Sequence, residues 1–334
     1  MNKTALAWTA CAALAVAGLH AGPAQALNPK SWVANTGNDG FDCHDVANAC
    51  QTLQRAHDQT QPGGEVGVVN AGDYSGTLTP RLVVSKTISI SNDGVGEAGI
   101  VAHADGDGIY VNAGNGDVNS LRGLVIEGAI GGFIGVQFGA GSALHVQNCV
   151  IRNMQGPSVG NGGGIGIWFT GVNSQLFVSD TIILNSGTGA NTGGILIQPI
   201  PTGGISAVLD RVHLENNVVG LLVDSTANTA NGAHVVVRDS VISGNATDGI
   251  RGSTTPGHGP AFLFVERTTL VNNGGNGIRA DGHGATVLLN DSTITRNGTG
   301  VSTVNGGQLI SYGNNRNNNN IGAEGVATSS DPLL

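Results

Sequence analysis

Short segments in which a glycine is followed by alternating apolar residues recur along most of the chain. Successive units are 23 to 30 residues apart, and they begin at Gly108, Gly135, Gly164, Gly194, Gly220, Gly249, Gly277 and Gly300. A second apolar block follows each unit, as at residues 178–183, 237–242 and 289–294. A turn that contains asparagine closes the block, at Asn185, Asn216, Asn245, Asn273 and Asn297. Each repeat therefore holds about three short strands with a side-chain period of two, and leaves no room for a helix.

Repeated short strands of this kind favour a solenoid. If every repeat forms one turn, the apolar sides of the strands are buried in a continuous column. We therefore predict an all-β chain with a single-domain right-handed parallel β-helix of about nine coils, spanning residues 63–334 and ending in a C-terminal cap. The longer repeats carry extra residues at 226–232 and 254–260. These insertions predict a wall of loops on one side of the solenoid, which is where repeat proteins often bind their ligands.

The first 26 residues have the pattern of a secretory signal peptide. Lys3 precedes an uncharged apolar run at residues 5–19, and Ala24-Gln25-Ala26 matches a small-x-small cleavage site. That run is too short to span a membrane comfortably, and no later run is longer, so we predict no transmembrane segment. We expect a secreted or periplasmic protein. Residues 27–62 are predicted to form an N-terminal segment and cap, in which residues 50–57 make a short amphipathic helix over the end of the core.

An oxidising compartment permits disulfides, and two cysteines lie close together in the N-terminal segment. Cys43 and Cys50 flank a loop of six residues, and no histidine or cysteine cluster with zinc spacing accompanies them. We predict a disulfide between them. Cys149 lies in a strand-like run and is interpreted as a small core residue.

The composition narrows the possible functions. The chain has 55 glycines, 11% charged residues, 4% aromatic residues and a formal net charge of −9. With 40% apolar residues it can build a core, so disorder is not expected. With 14 Lys and Arg against 23 Asp and Glu and no basic cluster, nucleic-acid binding is not expected either. No cofactor is predicted. Asp105, Asp107 and Asp117 offer oxygen ligands for calcium, but the repeat lacks the Gly-Gly-x-Gly-x-Asp calcium nonapeptide, so we favour capping of turns.

The outward positions of the first strand of each repeat carry an unusual group of charges. Arg251 and Arg279 lie two residues after their repeat glycines, and Asp224 and Asp281 lie four residues after theirs. We expect these four residues to share one face of consecutive coils and to bind substrate. The alternative is that they pair with each other on a solvated surface.

Two further residue types extend this candidate site. His258 and His283 lie in glycine-rich loops just beyond the strands, where either one is a candidate base for proton abstraction. Arg251 and Arg279 have the geometry to bind a carboxylate of an acidic sugar in the same reaction. Trp168 is a candidate for stacking on a sugar ring, with burial beneath a long loop as the alternative.

Several segments resemble a known group of proteins. Residues 63–66, 85–90, 121–128 and 311–315 are similar to bacterial secreted right-handed parallel β-helix repeat proteins, of the pectate-lyase-like superfamily. The resemblance implies the fold, and a superfamily that includes polysaccharide lyases, hydrolases, epimerases and many non-catalytic surface proteins. Gly-His-Gly at residues 257–259 and 282–284 is similar to an element of β-helix polygalacturonases. The Asn-Thr-Asp, Asp-Asp and Arg-Ile-Lys elements of those enzymes are absent from the sequence.

Two functions are compatible with these observations. The first is a secreted protein that binds a polysaccharide, a cell-surface glycan or another surface through its loop wall, without catalysis. The alternative is a polysaccharide lyase or epimerase that acts on an anionic uronate glycan at Arg251 and Arg279. We favour the first, because no motif of a catalytic family is complete. The sequence does not indicate an oligomeric state.

Overall fold

The computed structural model describes residues 27–76, 82–103, 106–129, 131–156 and 163–331. Over these ranges the chain is a parallel β-solenoid of about nine turns, with one short helix. This confirms the all-β solenoid that the repeat predicts, whereas the right-handedness of the coil stays a prediction. The proposed signal peptide, residues 1–26, and Asp105 lie outside the described residues.

Three parallel sheets run along the solenoid, and each turn contributes one strand to each sheet. Within the described ranges, sheet A contains β1 (Asn28–Val33), β2 (Thr60–Val68), β5 (Ile88–Ser91), β8 (Val118–Arg122), β11 (Ala143–Gln147), β14 (Ser174–Ser179), β17 (Gly204–Asp210), β20 (Gly232–Arg238), β23 (Ala261–Glu266), β26 (Ala285–Asn290), β29 (Gln308–Ser311) and β31 (Ser329–Ser330). Sheet B contains β3 (Gly72–Asp73), β6 (Ala98–Val101), β9 (Leu124–Glu127), β12 (Val150–Arg152), β15 (Ile182–Leu184), β18 (His213–Glu215), β21 (Val241–Ser243), β24 (Thr269–Val271), β27 (Thr293–Thr295) and β30 (Arg316–Asn317). Sheet C contains β4 (Leu82–Val84), β7 (Ile109–Asn112), β10 (Ile134–Ala140), β13 (Ile165–Phe169), β16 (Gly193–Ile197), β19 (Val219–Asp224), β22 (Ile250–Ser253), β25 (Asn276–Asp281) and β28 (Thr299–Val304).

The strands stack in register, so that equivalent side chains of successive turns form rows. In sheet A, for example, Leu176 pairs with Ala207, which pairs with Val235, and all three are buried. Since alternate residues of a strand point to opposite sides, the inward rows fill one continuous core and the outward rows face solvent or loops. The candidate site therefore depends on which outward row each residue occupies.

The repeat glycines allow two turns to approach closely. A Cβ atom on Gly249 would lie 2.7 Å from the carbonyl oxygen of Gly277, and one on Gly220 would lie 2.5 Å from that of Gly249. These glycines do not have positive φ. Glycine therefore recurs at this position of the repeat because there is no space for a side chain between the coils.

A single residue in the left-handed region joins each strand of sheet A to the next strand of sheet B. The non-glycine residues at this position are Asn148, Asp180, Arg211, Asp239, Arg267 and Asp291, with φ between 42° and 53°. Short polar side chains tolerate this conformation best, and the two turns with Arg lie next to an aspartate of the preceding turn. Arg211 donates to Asp180, and Arg267 donates to Asp239.

A ladder of buried asparagines fixes the turn from sheet B to sheet C. Each Oδ1 accepts the backbone N–H of the equivalent residue one turn earlier, at 3.0 or 3.1 Å, and the ladder consists of Asn217, Asn245, Asn273, Asn297 and Asn320. The sequence pattern placed Asn185 and Asn216 in the same set, which is wrong. These two residues are the exposed positions with positive φ that precede the ladder.

The N-terminal end contains a strand that the sequence pattern does not reveal. Residues 28–33, assigned from the sequence to the segment before the solenoid, form β1 and pair with β2. Helix α1 (Leu53–Gln59) begins after Thr52, whose hydroxyl accepts from the backbone N–H of Arg55, and it packs against β1, β2 and β4. Leu53, Ala56 and His57 are its buried residues. Its role as a cap stays a prediction.

Cys43 and Cys50 form the predicted disulfide, with Cα atoms 5.1 Å apart. Cys149 is buried in the core, and burial raises the pKa of its thiol to about 11. Within the described ranges, no helix has the length and apolar character needed to cross a membrane.

Candidate functional site

The outer face of sheet C holds the charged residues that the sequence singled out. Arg251 pairs directly with Arg279 on the next strand, and Ser253 lies between Asp224 and Asp281 in the neighbouring outward row. The four charged residues thus share one face of consecutive turns. Their environments nevertheless differ sharply, because loops cover one part of this face and leave the other part open.

Arg251 is held inside the structure. Its Nε lies 3.2 Å from Oδ2 of Asp248, and the side chains are 14% and 6% exposed. Nη2 donates to the backbone oxygen of Ala190 at 2.6 Å, and Nη1 donates to Oδ1 of Asn191 at 3.4 Å. Burial lowers the pKa of Arg251. Its guanidinium is therefore committed to an ion pair and to a loop two turns away, and it is not the exposed substrate ligand that the sequence predicted.

Arg279 is more accessible. Its Nη2 donates to Oδ2 of Asp281 at 2.7 Å, with side chains 33% and 22% exposed, and Oδ1 of Asp281 accepts from Asn305 at 2.7 Å. Nε of Arg279 is buried and finds no hydrogen-bond partner among the described residues. The pair therefore matches the alternative of mutual neutralisation, with one donor left over.

A continuous line of hydrogen bonds crosses three turns beside these charges. Nε1 of Trp168 donates to Oε1 of Gln198 at 3.2 Å, and Nε2 of Gln198 donates to Oδ2 of Asp224 at 3.2 Å. Oδ1 of Asp224 also accepts from the backbone and hydroxyl of Thr226. We use the name polar strip for a set of half-buried residues that runs along the solenoid axis. It consists of Trp168, Gln198, Asp224, Ser253 and Asp281.

The register corrects the expected position of Trp168. The sequence pattern begins this repeat at Gly164, but Ile167 pairs with Ile195, so that Gly166 is the equivalent of Gly194. Trp168 consequently lies in the row of Arg251 and Arg279, two positions after its glycine. The extra residues before Gly166 disguised this, since both glycines precede an alternating apolar pattern.

Trp168 lies against a second apolar cluster, outside the main core. Its buried members lie on the outer face of sheet C, and they are Ile134, Ile165, Leu196, Val219 and Leu222. Trp168 packs on this cluster while remaining half-buried. The two alternatives for this residue therefore combine: one part of the indole contacts the cluster, and another part stays accessible.

The two candidate histidines lie in exposed turns between sheets C and A. Nδ1 of His258 is 2.8 Å from the hydroxyl of Thr255, and His283 follows β25 at the tip of its turn. In the described part of the chain, neither ring forms a hydrogen bond or ion pair with Arg251 or Arg279. The structure does not join them into a catalytic group.

The carboxylates considered for calcium are also used within the fold. Oδ1 of Asp117 accepts from Thr87 and Oδ2 accepts from the backbone N–H of Gly114, both at 2.7 Å. Asp107 is buried, and Asp105 lies outside the described residues. Among the described residues, no group of three or more His, Cys, Asp or Glu side chains is arranged to hold a metal ion. Calcium binding remains untested.

Asp248 is the functional neighbour that the sequence reading missed. It precedes its repeat glycine by one residue, a position that also faces outward, and the rows considered from the sequence began two residues after the glycine. The sheet C face therefore carries three carboxylates, Asp224, Asp248 and Asp281, against two guanidinium groups.

The fold is similar to that of a solved pectate lyase. The structure of pectate lyase Pel9A aligns with a TM-score of 0.60 and 17% identity, over 91% of this chain and 78% of that one. A GH136 lacto-N-biosidase from Eubacterium ramulus covers 91% of this chain at 13% identity and a TM-score of 0.43, over 68% of its own length. A rhamnogalacturonan lyase aligns with a TM-score of 0.39 at 13% identity, over 81% of this chain and 82% of its own. No protein-family model and no curated protein sequence matches the chain.

Proposed function

We propose that this protein, which has the parallel β-helix fold of pectate lyase Pel9A, binds a polysaccharide along the outer face of sheet C without cleaving it. The observation that carries this proposal is the polar strip. Gln198, Asp224, Ser253 and Asp281 lie in one row and repeat at the strand spacing of about 4.8 Å, which is close to the length of one sugar unit in an extended glycan, and Trp168 lies in the adjacent row. A polymer lying along the solenoid axis can therefore meet one polar side chain on each turn.

The chemistry of the strip suits sugar hydroxyls. Amide, carboxylate and hydroxyl groups of Gln198, Asp224 and Ser253 supply acceptors and donors, and the indole of Trp168 supplies an aromatic surface beside them. Because Trp168, Gln198 and Asp224 already bond one another, they are held in place before a ligand arrives, which lowers the entropic cost of binding.

The charge balance favours a glycan without carboxylates. Arg251 is neutralised by Asp248, Arg279 is neutralised by Asp281, and Asp224 adds a further negative charge. A uronate polymer would place its carboxylates near these groups at an electrostatic cost.

One observation supports the alternative function, a polysaccharide lyase or epimerase. The side chain of Arg279 is 33% exposed, and a guanidinium can bind a substrate carboxylate, as a lyase or epimerase on a uronate glycan requires. In that reaction His258 or His283 would act as the base.

A binding and turnover assay with the same polymers separates these functions. Hydroxyethyl cellulose, chitosan and polygalacturonate represent neutral, amine-bearing and uronate glycans, and each is tested by affinity electrophoresis and by ultraviolet absorbance of unsaturated products. We expect binding to a polymer without carboxylates, no product, and about fivefold weaker binding in Trp168→Ala, which removes an aromatic contact worth about 1 kcal/mol.

The matched control is Ile182→Ala, since Ile182 is 38% exposed on the outer face of sheet B. It should bind like the unmodified chain. Formation of unsaturated product from polygalacturonate would contradict binding without cleavage and support the lyase alternative. An equal loss of affinity in Trp168→Ala and Ile182→Ala would show that the polar strip is not the binding site.

A further inference from the structure

A second cavity lies on the outside of sheet A, where the strands begin. It has a volume of about 290 Å³ and is lined by side chains from β14, β17 and β20 and from the turns before them. Its polar lining consists of Asn173, Gln175, Ser206, Asn231 and His234. Loops at residues 199–203 and 225–231 separate these strands from sheet C along the chain.

Three of the lining residues form one outward row. Gln175 pairs with Ser206, and Ser206 pairs with His234, so the three side chains follow each other at the strand spacing of about 4.8 Å. Phe262 continues the row, and its ring lies 5.6 Å from the imidazole of His234 with a tilt of 39°. The cavity therefore has an amide at one end, a hydroxyl at its centre and the imidazole of His234 at the other end, where Phe262 completes a ring pair just outside the lining residues.

The walls of this cavity are fixed by a buried asparagine. Nδ2 of Asn228 donates to the backbone oxygens of Ile200 and Gly203, at 3.1 and 2.7 Å, and its Oδ1 accepts from Gly232 at 2.8 Å. Asn228 is 0% exposed. On the opposite side, Oδ1 of Asn173 accepts from the backbone N–H of Gly204 at 3.1 Å. The loops of neighbouring turns are thus tied together around the cavity.

Apart from Asn173, the exposed polar side chains that face the cavity are not used by the fold. The side chains of Gln175, Ser206, Asn231 and His234 make no hydrogen bond with any other residue in the described ranges. In the polar strip, by contrast, Gln198 and Asp224 already bond to each other. Convergent polar groups with free donors and acceptors in a preformed depression are typical of a ligand site.

We propose that this cavity binds one uncharged sugar unit, as a glycan subsite separate from the polar strip. No Asp, Glu, Lys or Arg lines it, so it offers no partner for a charged ligand. Amide, hydroxyl and imidazole groups both donate and accept, as sugar hydroxyls do, and the ring pair suits the apolar face of a pyranose. Its volume is at the small end of the range for ligand pockets, roughly 300 Å³, which suits one sugar unit.

Saturation-transfer difference NMR on the whole chain tests the proposal. The probes are methyl β-glucoside, methyl β-galactoside and N-acetylglucosamine, with glucuronate as the charged counterpart. We expect transfer to at least one neutral sugar, weaker transfer to glucuronate, and a shift of the His234 imidazole resonance on titration. Ser206→Trp, which fills the cavity, should abolish binding, and Gln175→Ala should weaken it about tenfold through the loss of hydrogen bonds.

Gln147→Ala is the matched control, because Gln147 is an exposed glutamine on β11 of the same sheet. It should bind like the unmodified chain, and thermal unfolding of all variants verifies the fold. The proposal is overturned if no neutral sugar receives saturation, if Ser206→Trp binds normally, or if glucuronate binds best. Because Trp168→Ala leaves this cavity intact, loss of sugar binding in that variant alone would also overturn it, whereas failure of the polymer assay would not.

Discussion

Arg251 and Asp248 form an ion pair that is almost closed to solvent, and the same guanidinium reaches the backbone oxygen of Ala190, 61 residues earlier in the chain. One side chain thereby connects three successive turns across the outer face of sheet C. This arrangement explains why two arginines with identical offsets from their repeat glycines have different roles.

We expect Arg251→Ala to destabilise the protein much more than Arg279→Ala does. Removal of Arg251 leaves the buried carboxylate of Asp248 without its counter-charge, although Oδ1 still accepts from the backbone and side-chain N–H groups of Asn276, so we expect a loss of about 3 kcal/mol. Removal of Arg279 breaks a partly exposed pair and costs about 0–1 kcal/mol. Urea unfolding of the two variants measures the difference. Equal losses would contradict the assignment of Arg251 to the fold.

The buried asparagine ladder should be far more sensitive than the turn residue beside it. Asn273→Ala deprives the backbone N–H of Asn245 of its acceptor and removes a donor to Ile242, so we expect a loss of about 3 kcal/mol. The neighbouring Asn272 is exposed with φ of 58°, a conformation that glycine adopts readily. Asn272→Gly should therefore stay within about 0.5 kcal/mol of the unmodified protein. Thermal unfolding compares the two, and a similar shift in both would argue against the ladder as the main constraint.

The stability of the N-terminal end should fall in mild acid. Nε2 of His57 accepts from the backbone N–H of Ser85 at 3.3 Å, and its Nδ1 lies 2.9 Å from Asp58. Burial lowers the pKa of His57, with Lys86 adding to the effect and Asp58 opposing it. Because the unfolded state takes up this proton first, stability is complete above about pH 6.5 and declines as the pH falls below that value.

Comparison with His57→Gln isolates this effect, since the glutamine oxygen can accept from Ser85 without titrating. The difference in unfolding free energy between the two proteins should change with pH by at most about 1.4 kcal/mol per unit, the value for one proton. Burial also lowers the pKa of His145, but that residue is present in both proteins and cancels. A profile that His57→Gln does not flatten would refute the role of His57.

Loss of the disulfide should loosen the N-terminal end first. The bridge closes a loop with a sequence separation of 7, and the backbone of both cysteines bonds to β1. For a loop of this size we expect the double variant Cys43→Ala, Cys50→Ala to lose about 2 kcal/mol. Limited proteolysis should cut first within residues 28–60, before the remaining turns. Cys149→Ala controls for removal of a buried thiol, and cleavage elsewhere in the chain would count against this order.

The repeat made the architecture predictable, because the spacing of apolar residues dictates strands of period two and the interval dictates one turn. It also predicted that Arg251 pairs with Arg279, since both follow their glycines at the same offset. The offset gave the wrong row for Trp168, because Gly164 and Gly166 both precede an alternating apolar pattern and either could begin the repeat. The register and the backbone distinguish them: Gly164 has φ of 79°, whereas Gly166 has no positive φ and a Cβ on it would lie 2.5 Å from the oxygen of Gly194.

The burial of Arg251 could not be predicted from the sequence, for a different reason. Its partners are a backbone oxygen at Ala190 and a carboxylate at Asp248. Every residue has a backbone oxygen, so the residue type at position 190 does not reveal the first of these contacts. Likewise, β1 is recognisable as a strand only through its pairing with β2. The cavity on sheet A joins residues from three turns, so it appears only when the register is known.

The asparagine ladder also bears on how such a molecule changes its length during evolution. Asn217, Asn245 and Asn273 are separated by the same 28 residues, and each presents the same acceptor to the turn before it. Duplication of one such unit would therefore join at both ends without a new interface. The natural unit of variation is the whole coil, and each added coil would extend the sheet C face by one further position for a ligand.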